Sequence, residues 1–295
     1  MKFYIVTPTY NSLAWLERCL RSVADQAETG VEVHHHVQDG GSTDGTAELL
    51  ADWQQKHGTA PGYTFTYESA KDAGMYDALN KAWEKMPAEA DVTAHLNSDE
   101  QYLPHALHGV AAEFTRRPKA DILLSSYFVL DADSRYICHR RPVHPSPWIC
   151  RTVCEMATCA TFHRVPAFRN HQIRFDTSWR IIGDLIMYRE IVATHPSFAV
   201  CPGLLTTTFS VTGNNLGWDE AVNKEAARNL AGLSRFIRIS RKAAALLANI
   251  KRRSCDLWHA APRQYEVYMP GATKRTLHRI KRPTSHWGCR TEGEK

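Results

Sequence analysis

No stretch of the 295 residues approaches the roughly 18 consecutive apolar positions of a transmembrane helix. The opening residues Met1 to Val6 run directly into the polar Thr7–Ser12 segment, without the apolar core of a secretory leader, so a cytosolic location is expected. The eight cysteines, at 19, 138, 150, 154, 159, 201, 255 and 289, include no Cys-x2-Cys knuckle and are expected as reduced thiols. Cys150, Cys154, Cys159 and His163 crowd together, which leaves zinc ligation open beside plain burial. His34, His35 and His36 alternate faces of an expected strand and cannot converge on one ion. No internal repeat or low-complexity segment is visible.

What is present is material for a full core. Hydrophobic residues make up 43% of the chain and charged residues 23%, ordinary globular values that argue against wholesale disorder. The net charge of +5 is unevenly spread. From Arg235 onward there are 15 Lys and Arg against 4 Asp and Glu, a net of +11, and residues 1–234 carry −6. A basic tail on an acidic body fits an anionic partner, a membrane surface rather than nucleic acid.

Short apolar runs alternate with helical periodicity over the first 130 residues. Strands are expected at Phe3–Val6, Val31–Val37, Tyr63–Tyr67, Val92–Leu96 and Ile122–Leu130. Helices are expected from Leu13, over Ala47–Trp53 and Gly74–Met86, and from Pro104 to Phe114. This order implies an α/β fold, a mostly parallel sheet with helices on both faces. Ligands of such sheets bind beyond the C-terminal strand ends. Polar clusters fall there: Thr7–Asn11, Asp39–Asp44, Asp72–Asp77 and Asn97–Glu100. Pro142, Pro145 and Pro147 mark a loop after the sheet half. The tail holds an amphipathic helix with Leu233, Ile237, Leu246, Leu247 and Ile250 among basic residues, and the last 30 residues read as coil.

The segments VTPTYN (6–11), QDGGSTDGT (38–46), KDAGMYDALNKA (71–82) and LNSDE (96–100), in this order and spacing, resemble the signature series of family 2 glycosyltransferases, closest to the bacterial exopolysaccharide and lipopolysaccharide branch. The resemblance implies a GT-A fold in residues 1–215, with a nucleotide-sugar half (1–130) and an acceptor half (131–215), followed by a helical basic extension over 216–295. It implies an inverting transfer from a nucleotide diphosphate donor, a UDP-sugar by preference, to an acceptor hydroxyl. The acceptor would be a lipid-linked or other glycan of cell-surface polysaccharide synthesis, met at the inner face of the membrane. Pro8, Thr9, Tyr10, Asn11, Asp39, Gly41, Asp72, Gly74, Asn97 and Ser98 are the nucleotide-sugar positions it implies. Asp39 is expected to face the base from a solvent-accessible strand end, whereas Asp44 and Gly45 read as turn structure.

A diphosphate gathers negative charge as it leaves, and a hard Mg2+ or Mn2+ ion with oxygen ligands neutralises it. Asp99 is the expected metal ligand, in a motif weakened by Asn97 at its first position, with Glu100 where many relatives have a second Asp. Single displacement also needs a proton acceptor on the acceptor side. Asp184 matches the family's base; Asp176, in the turn-like FDTSW context, is the competitor. Where relatives place His-Gln, this chain reads Cys159-Ala160. Thr212–Asn215 resembles a loop near the donor phosphates, and Trp179 and Trp218 are sugar-stacking or core residues. A non-catalytic nucleotide-sugar-binding relative is the alternative. A sugar nucleotidyltransferase fits less well, because the loop TPTYNS lacks the glycine and basic residue that hold a triphosphate.

Overall fold

The computed structural model describes residues 1–212 and 221–286. The expected phosphate loop at 213–215 and Trp218 fall outside them.

The chain opens with β1 (Lys2–Thr9), α1 (Leu13–Ala24), β2 (Glu32–Asp39) and α2 (Thr46–His57). A short β3 (Thr59–Ala60) and β4 (Tyr63–Ser69) precede α3 (Met75–Glu84), β5 (Val92–His95), β6 (Gln101–Tyr102) and α4 (Ala106–Arg116). The second half contributes β7 (Ile122–Asp131), β8 (Tyr136–Arg140), β9 (Thr161–Arg164), α5 (Val165–Asn170), α6 (Gly183–Ala193) and β10 (Phe198–Val211). Helices α7 (Ala221–Ala231) and α8 (Arg235–Leu257) and the hairpin β11 (Gln264–Tyr268) and β12 (Arg275–Arg279) follow.

One sheet runs β3-β4-β2-β1-β5-β9-β7-β10-β6, with β8 hydrogen-bonded to β7. The pairs β4–β2, β2–β1, β1–β5 and β7–β10 are parallel. The short β9 is antiparallel to both β5 and β7 and joins the two parallel halves. Alternation along β1 explains the layering. Phe3 and Ile5 enter a core with Leu16, Leu20, Leu50 and Phe114 from α1, α2 and α4. Tyr4 and Val6 enter a second core with Leu79 and Trp83 of α3 and Met187 and Ile191 of α6. A strand buried on both faces reads as a continuous apolar run, as β1 does.

The expected coil at the end is a hairpin up to Arg279. Tyr265 and Val267 pack with Phe128 and Leu130 of β7. Gln101 bonds both the amide and carbonyl of Tyr268, and Arg275 pairs with Asp25 at 2.7 Å. Helix α8 packs Ala244 and Ala248 against Ile149.

Candidate active site

The register of β1 and β2 sets Thr9 beside Asp39 at the C-terminal edge of the sheet. Four loops are tied together there. Asn11, at φ 48°, donates its amide to Ser42 Oγ at 2.7 Å and accepts from the Thr43 amide at 2.9 Å. The Ala70 amide donates to the Asp39 carbonyl at 2.9 Å, which brings the loop after β4 against the loop after β2. Ser98 Oγ meets Ser12 Oγ at 3.0 Å and ties in the loop after β5. Asp44 serves the turn, as expected: its carboxylate accepts from the amides of Leu13 and Thr46, the first residues of α1 and α2.

Within this frame Tyr10 projects with 62% of its surface exposed. Thr9 Oγ1 is buried and has no hydrogen-bond partner. Pro8 is buried within β1, paired in register with Gln38. Asp39 departs from expectation: it is completely buried, not solvent-accessible. Its carboxylate accepts from Ser42 Oγ at 2.5 Å, the Ser42 amide at 3.1 Å and Ser69 Oγ at 2.5 Å. Gly41 turns the chain at φ 82°, and a Cβ there would meet the Lys71 amide nitrogen at 3.4 Å. Asp72 accepts from the Gly74 amide at 2.8 Å. Gly74 itself starts α3 at φ 116° and ψ 178°, a region that essentially only glycine occupies.

The loop after β5 sorts its acids by depth. Asp99 is half-buried, and burial pushes its carboxyl up to about 6, opposed by its own backbone amide and by Arg18. Arg18 lies buried with its guanidinium 4.3 Å from the Trp15 ring centre. Glu100, in the place of the relatives' second Asp, is buried behind this loop and accepts from the Asn97 amide at 2.8 Å. Burial, then the Asp99 charge, push Glu100 up to about 8. Glu100 therefore does not stand beside Asp99 as a second open carboxylate. Asn97 Oδ1 is buried without a partner. An orphan amide oxygen next to an open carboxylate is the donor chemistry of a hard divalent cation, so these residues fit one. Among the described residues no three His, Cys, Asp or Glu side chains gather to hold a metal on their own.

The cysteine cluster disperses accordingly. Cys150 points its thiol at Glu155 and Cys154 at the Met156 carbonyl, Cys159 is buried, and His163 stacks edge-on against Phe168. His34 and His36 share Thr66 on one face, while His35 turns to Thr7 and Tyr63 on the other.

Asp184 sits in the first turn of α6 and lines a cavity of about 370 Å³ with Tyr127, Arg140, Cys154, Thr158 and Arg252. Burial raises its carboxyl above the ordinary aspartate range, against the pull of the Leu185 amide at 2.7 Å. Cys159 and Ala160 line the same cavity. Asp176 lies elsewhere, exposed and accepting from the Ser178 amide at 2.9 Å, the geometry of a turn. Trp179 is buried beneath Arg228, whose guanidinium lies 4.0 Å from its ring centre.

Two further residues position the site, Tyr76 from within the 71–82 motif and Glu225 from outside every motif. Tyr76, two residues past Gly74, is buried, stacks on Phe175 at 4.5 Å, donates to the Ile181 carbonyl at 2.8 Å and accepts from the Asp184 amide at 3.3 Å. One side chain thus joins the start of α3 to the helix carrying Asp184. Glu225 of α7 accepts from three successive amides, Arg180, Ile181 and Ile182, at 2.7–3.0 Å, and fixes the approach to α6. These bonds hold Glu225 below its ordinary range against the upward push of burial.

Comparison with known proteins agrees with this arrangement. The glycosyl transferase family 2 model matches residues 4–194. An uncharacterized glycosyltransferase of Mycoplasma pneumoniae is 22% identical over 272 residues, 86% of each chain. One from Mycobacterium tuberculosis is 35% identical over 77 residues, 26% of each. Among solved structures, S. aureus TarS 1-349 in complex with UDP-GlcNAc superposes with a TM-score of 0.59 at 17% identity, over 84% of this chain and 73% of that one. The mannosyltransferase PcManGT from Pyrobaculum calidifontis, in complex with GDP-Man and Mn2+, gives 0.56 at 14% identity, over 86% and 71%. The sheet order, the loops gathered at its C-terminal edge and a family match spanning most of the chain agree: this chain belongs to glycosyl transferase family 2.

Proposed function

We propose that the protein is an inverting glycosyltransferase that moves a sugar from a nucleoside diphosphate donor, a UDP-sugar by preference, to an acceptor hydroxyl in bacterial cell-surface polysaccharide synthesis. The observation carrying this reading is the gathering of Tyr10, Asp39, Asp72, Asn97 and Asp99 at one sheet edge, with Asp184 tied to that edge through Tyr76. The fold neighbours hold UDP-GlcNAc, and GDP-Man with Mn2+, which supports a nucleotide-sugar donor.

In this reading exposed Tyr10 offers its ring to the base, with Thr9 Oγ1 as an unspent hydrogen-bonding group beside it. Asp39, accepting three hydrogen bonds from Ser42 and Ser69, holds the shape of the base pocket and keeps one lone-pair site on Oδ1 for a base N–H. Pro8, Asn11 and Gly41 set the loop path, and Asp72, Gly74 and Ser98 line the phosphate side. Asp99 and Asn97 Oδ1 would hold Mg2+ or Mn2+, which when bound offsets the charge of the leaving diphosphate. Asp184 takes the acceptor hydroxyl's proton as that oxygen attacks the anomeric carbon; its raised pKa makes it a better acceptor than an exposed aspartate. Residues 1–215 would form the catalytic unit and 216–295 the basic extension.

The acceptor is a lipid-linked or other glycan at the inner membrane face. Phe236, Ile239, Leu246, Leu247, Ile250 and Leu257 are exposed on α8, while Ile237, Ala244 and Ala248 of the same helix are buried against the body. Exposed apolar residues flanked by Arg235, Arg238, Arg241 and Lys242 suit the plane of an anionic bilayer. No described helix is long and apolar enough to cross a membrane.

Thermal unfolding with a panel of nucleotide sugars and Mn2+ tests the donor assignment. A true donor at 100 times its Kd adds about 2.7 kcal/mol of stability. NMR of the product's anomeric proton then reads inversion. The donor assignment falls if no nucleotide sugar or nucleoside diphosphate shifts the transition.

A further inference from the structure

We propose that the pocket holding Asp184 recognises an oxyanion on the acceptor, a phosphoryl or carboxylate group, through Arg140 and Arg252. The inference rests on reading that pocket as the acceptor side. Arg140 ends β8 and stands opposite Tyr127 of β7; Arg252 reaches the same cavity from α8. At about 370 Å³ the cavity lies in the size range of small-ligand sites.

The neighbouring cations Arg141 and Lys251 are ion-paired, and among the described residues these two are not. Arg141, one position from Arg140, is buried and donates Nε to Asp256 at 3.1 Å. Lys251, one position from Arg252, pairs with Glu155 at 2.7 Å. The carboxylates of Glu155 and Asp256 are thereby taken. Among the described residues no carboxylate lies within ion-pair distance of Arg140 or Arg252. Among the described residues the Arg140 guanidinium donates to the Ser285 carbonyl at 3.2 Å and the Arg252 guanidinium to the Cys154 carbonyl at 3.0 Å, and neither makes a further side-chain hydrogen bond. Each guanidinium has five N–H donors, so most remain for a ligand.

Two half-buried cations facing one cavity repel each other. Burial first and the Arg140 charge second pull Arg252 below its ordinary range. Tyr127 lines the same cavity, and both guanidiniums offset the upward push of its burial. An oxyanion bridging the pair relieves the repulsion and accepts forked, charge-assisted hydrogen bonds, for which guanidinium geometry is suited. Asp184 in the same cavity repels the anion and attracts a hydroxyl. A charged acceptor is thereby oriented, with its anionic group on the arginine side and its nucleophilic hydroxyl at the base. Because Arg252 belongs to α8, the C-terminal extension completes the acceptor pocket.

The test uses the full chain, saturated with UDP and Mn2+ so that the probes cannot occupy the donor site. UDP affinity is measured first, as the independent readout of the donor assignment. Inorganic phosphate and glucuronate are then titrated separately by calorimetry. Binding of phosphate alone assigns a phosphoryl group; binding of glucuronate alone assigns a carboxylate. In either case Arg140→Gln and Arg252→Gln should each weaken that anion at least tenfold and leave UDP affinity unchanged. Exposed Arg253→Gln is the control and should bind like wild type. Arg252→Lys keeps the charge and should retain measurable binding, which carries the test if Arg252→Gln unfolds. The proposal is overturned if neither anion binds, or if binding persists in both glutamine variants. If UDP fails to bind, the donor assignment falls, and the same titrations without UDP still decide whether the arginines hold an anion.

Discussion

Replacing Gly183 by alanine pits helix propensity against packing, and the sign of the result decides whether the junction between α3 and α6 is rigid. Gly183 opens α6, where alanine would ordinarily gain up to about 1 kcal/mol over glycine. A Cβ at this position, however, would lie 2.4 Å from Tyr76 Cε2 and 2.8 Å from both Cδ2 and Cζ. The ring has little room to yield. It is stacked on Phe175 at 4.5 Å, and its hydroxyl is engaged by the Ile181 carbonyl and the Asp184 amide. Overpacking of this kind costs about 1–3 kcal/mol, enough to reverse the propensity gain. If the start of α6 moves instead, Asp184 moves with it, and kcat falls while UDP affinity holds. Urea unfolding measures the first effect, steady-state transfer and UDP titration the second. Tyr76→Leu removes the ring, so in a double-mutant cycle Gly183→Ala should cost less on that background, with a coupling of 0.5 kcal/mol or more on the order seen for contacting residues. Wild-type or greater stability together with wild-type kcat in Gly183→Ala would refute the rigid junction.

Asp99→Asn should cut turnover by on the order of 10³ or more, the worth of several kcal/mol of charge stabilisation at the leaving diphosphate; full activity of this variant, or of wild type in excess chelator, removes the metal assignment. Asp184→Asn should lose about 10²–10⁴ of rate with donor affinity near normal, and Asp176→Asn should be close to wild type; the opposite pattern exchanges the two roles. Because burial raises the Asp184 pKa, its base form disappears as pH falls through a range above the ordinary aspartate value of about 4, so the acidic limb of kcat should lie above that value and vanish in Asp184→Asn. Ile239→Asp with Leu246→Asp in the full chain should abolish sedimentation with anionic vesicles, wild type should pellet with them less at high salt and not with neutral ones, and equal behaviour of the two proteins leaves the α8 face to another partner, such as a second copy.

The first 130 residues were legible because each signal there is local. Strands there are apolar runs, as β1 and β7, or alternate, as β2 and β4, and end in turn formers, and the expected elements from β1 to β7 are all present with ends shifted by a few residues. Strand β1 runs on to Thr9 because Pro8 and Thr9 continue the parallel register with Gln38 and Asp39. The hairpin of β11 and β12 escaped detection for a physical reason. Only Tyr265, Val267 and Tyr268 of β11 are buried, and no residue of β12 is fully buried, so the alternating pattern that marks a half-buried strand is weak. What holds the hairpin is remote: Asp25 for Arg275 and Gln101 for Tyr268. Glu225 is similar, since a carboxylate that caps amides 43–45 residues away has no periodicity or spacing to show in sequence.

Within the site, the sequence named positions but not depth, and depth separates acids that the motifs treat alike. Asp39 ends β2, and Asp99 and Glu100 follow the end of β5. Successive residues in a turn point in different directions, so Asp99 stays half-open while Glu100 goes under the loop to meet the Asn97 amide. Burial and then the neighbouring Asp99 charge raise Glu100 further than burial raises Asp99, which has Arg18 nearby to favour its charged form. Asp39 is deeper still, yet three donors converge on it, which is how a carboxylate is kept in a place water does not reach. Those donors come from Ser42 and Ser69, in the loop after β2 and the last residue of β4, so the group that would read the base also fastens the two loops that shape its pocket. A single residue then serves architecture and recognition at once, and its loss would leave two serine hydroxyls and an amide without their acceptor before any nucleotide is considered.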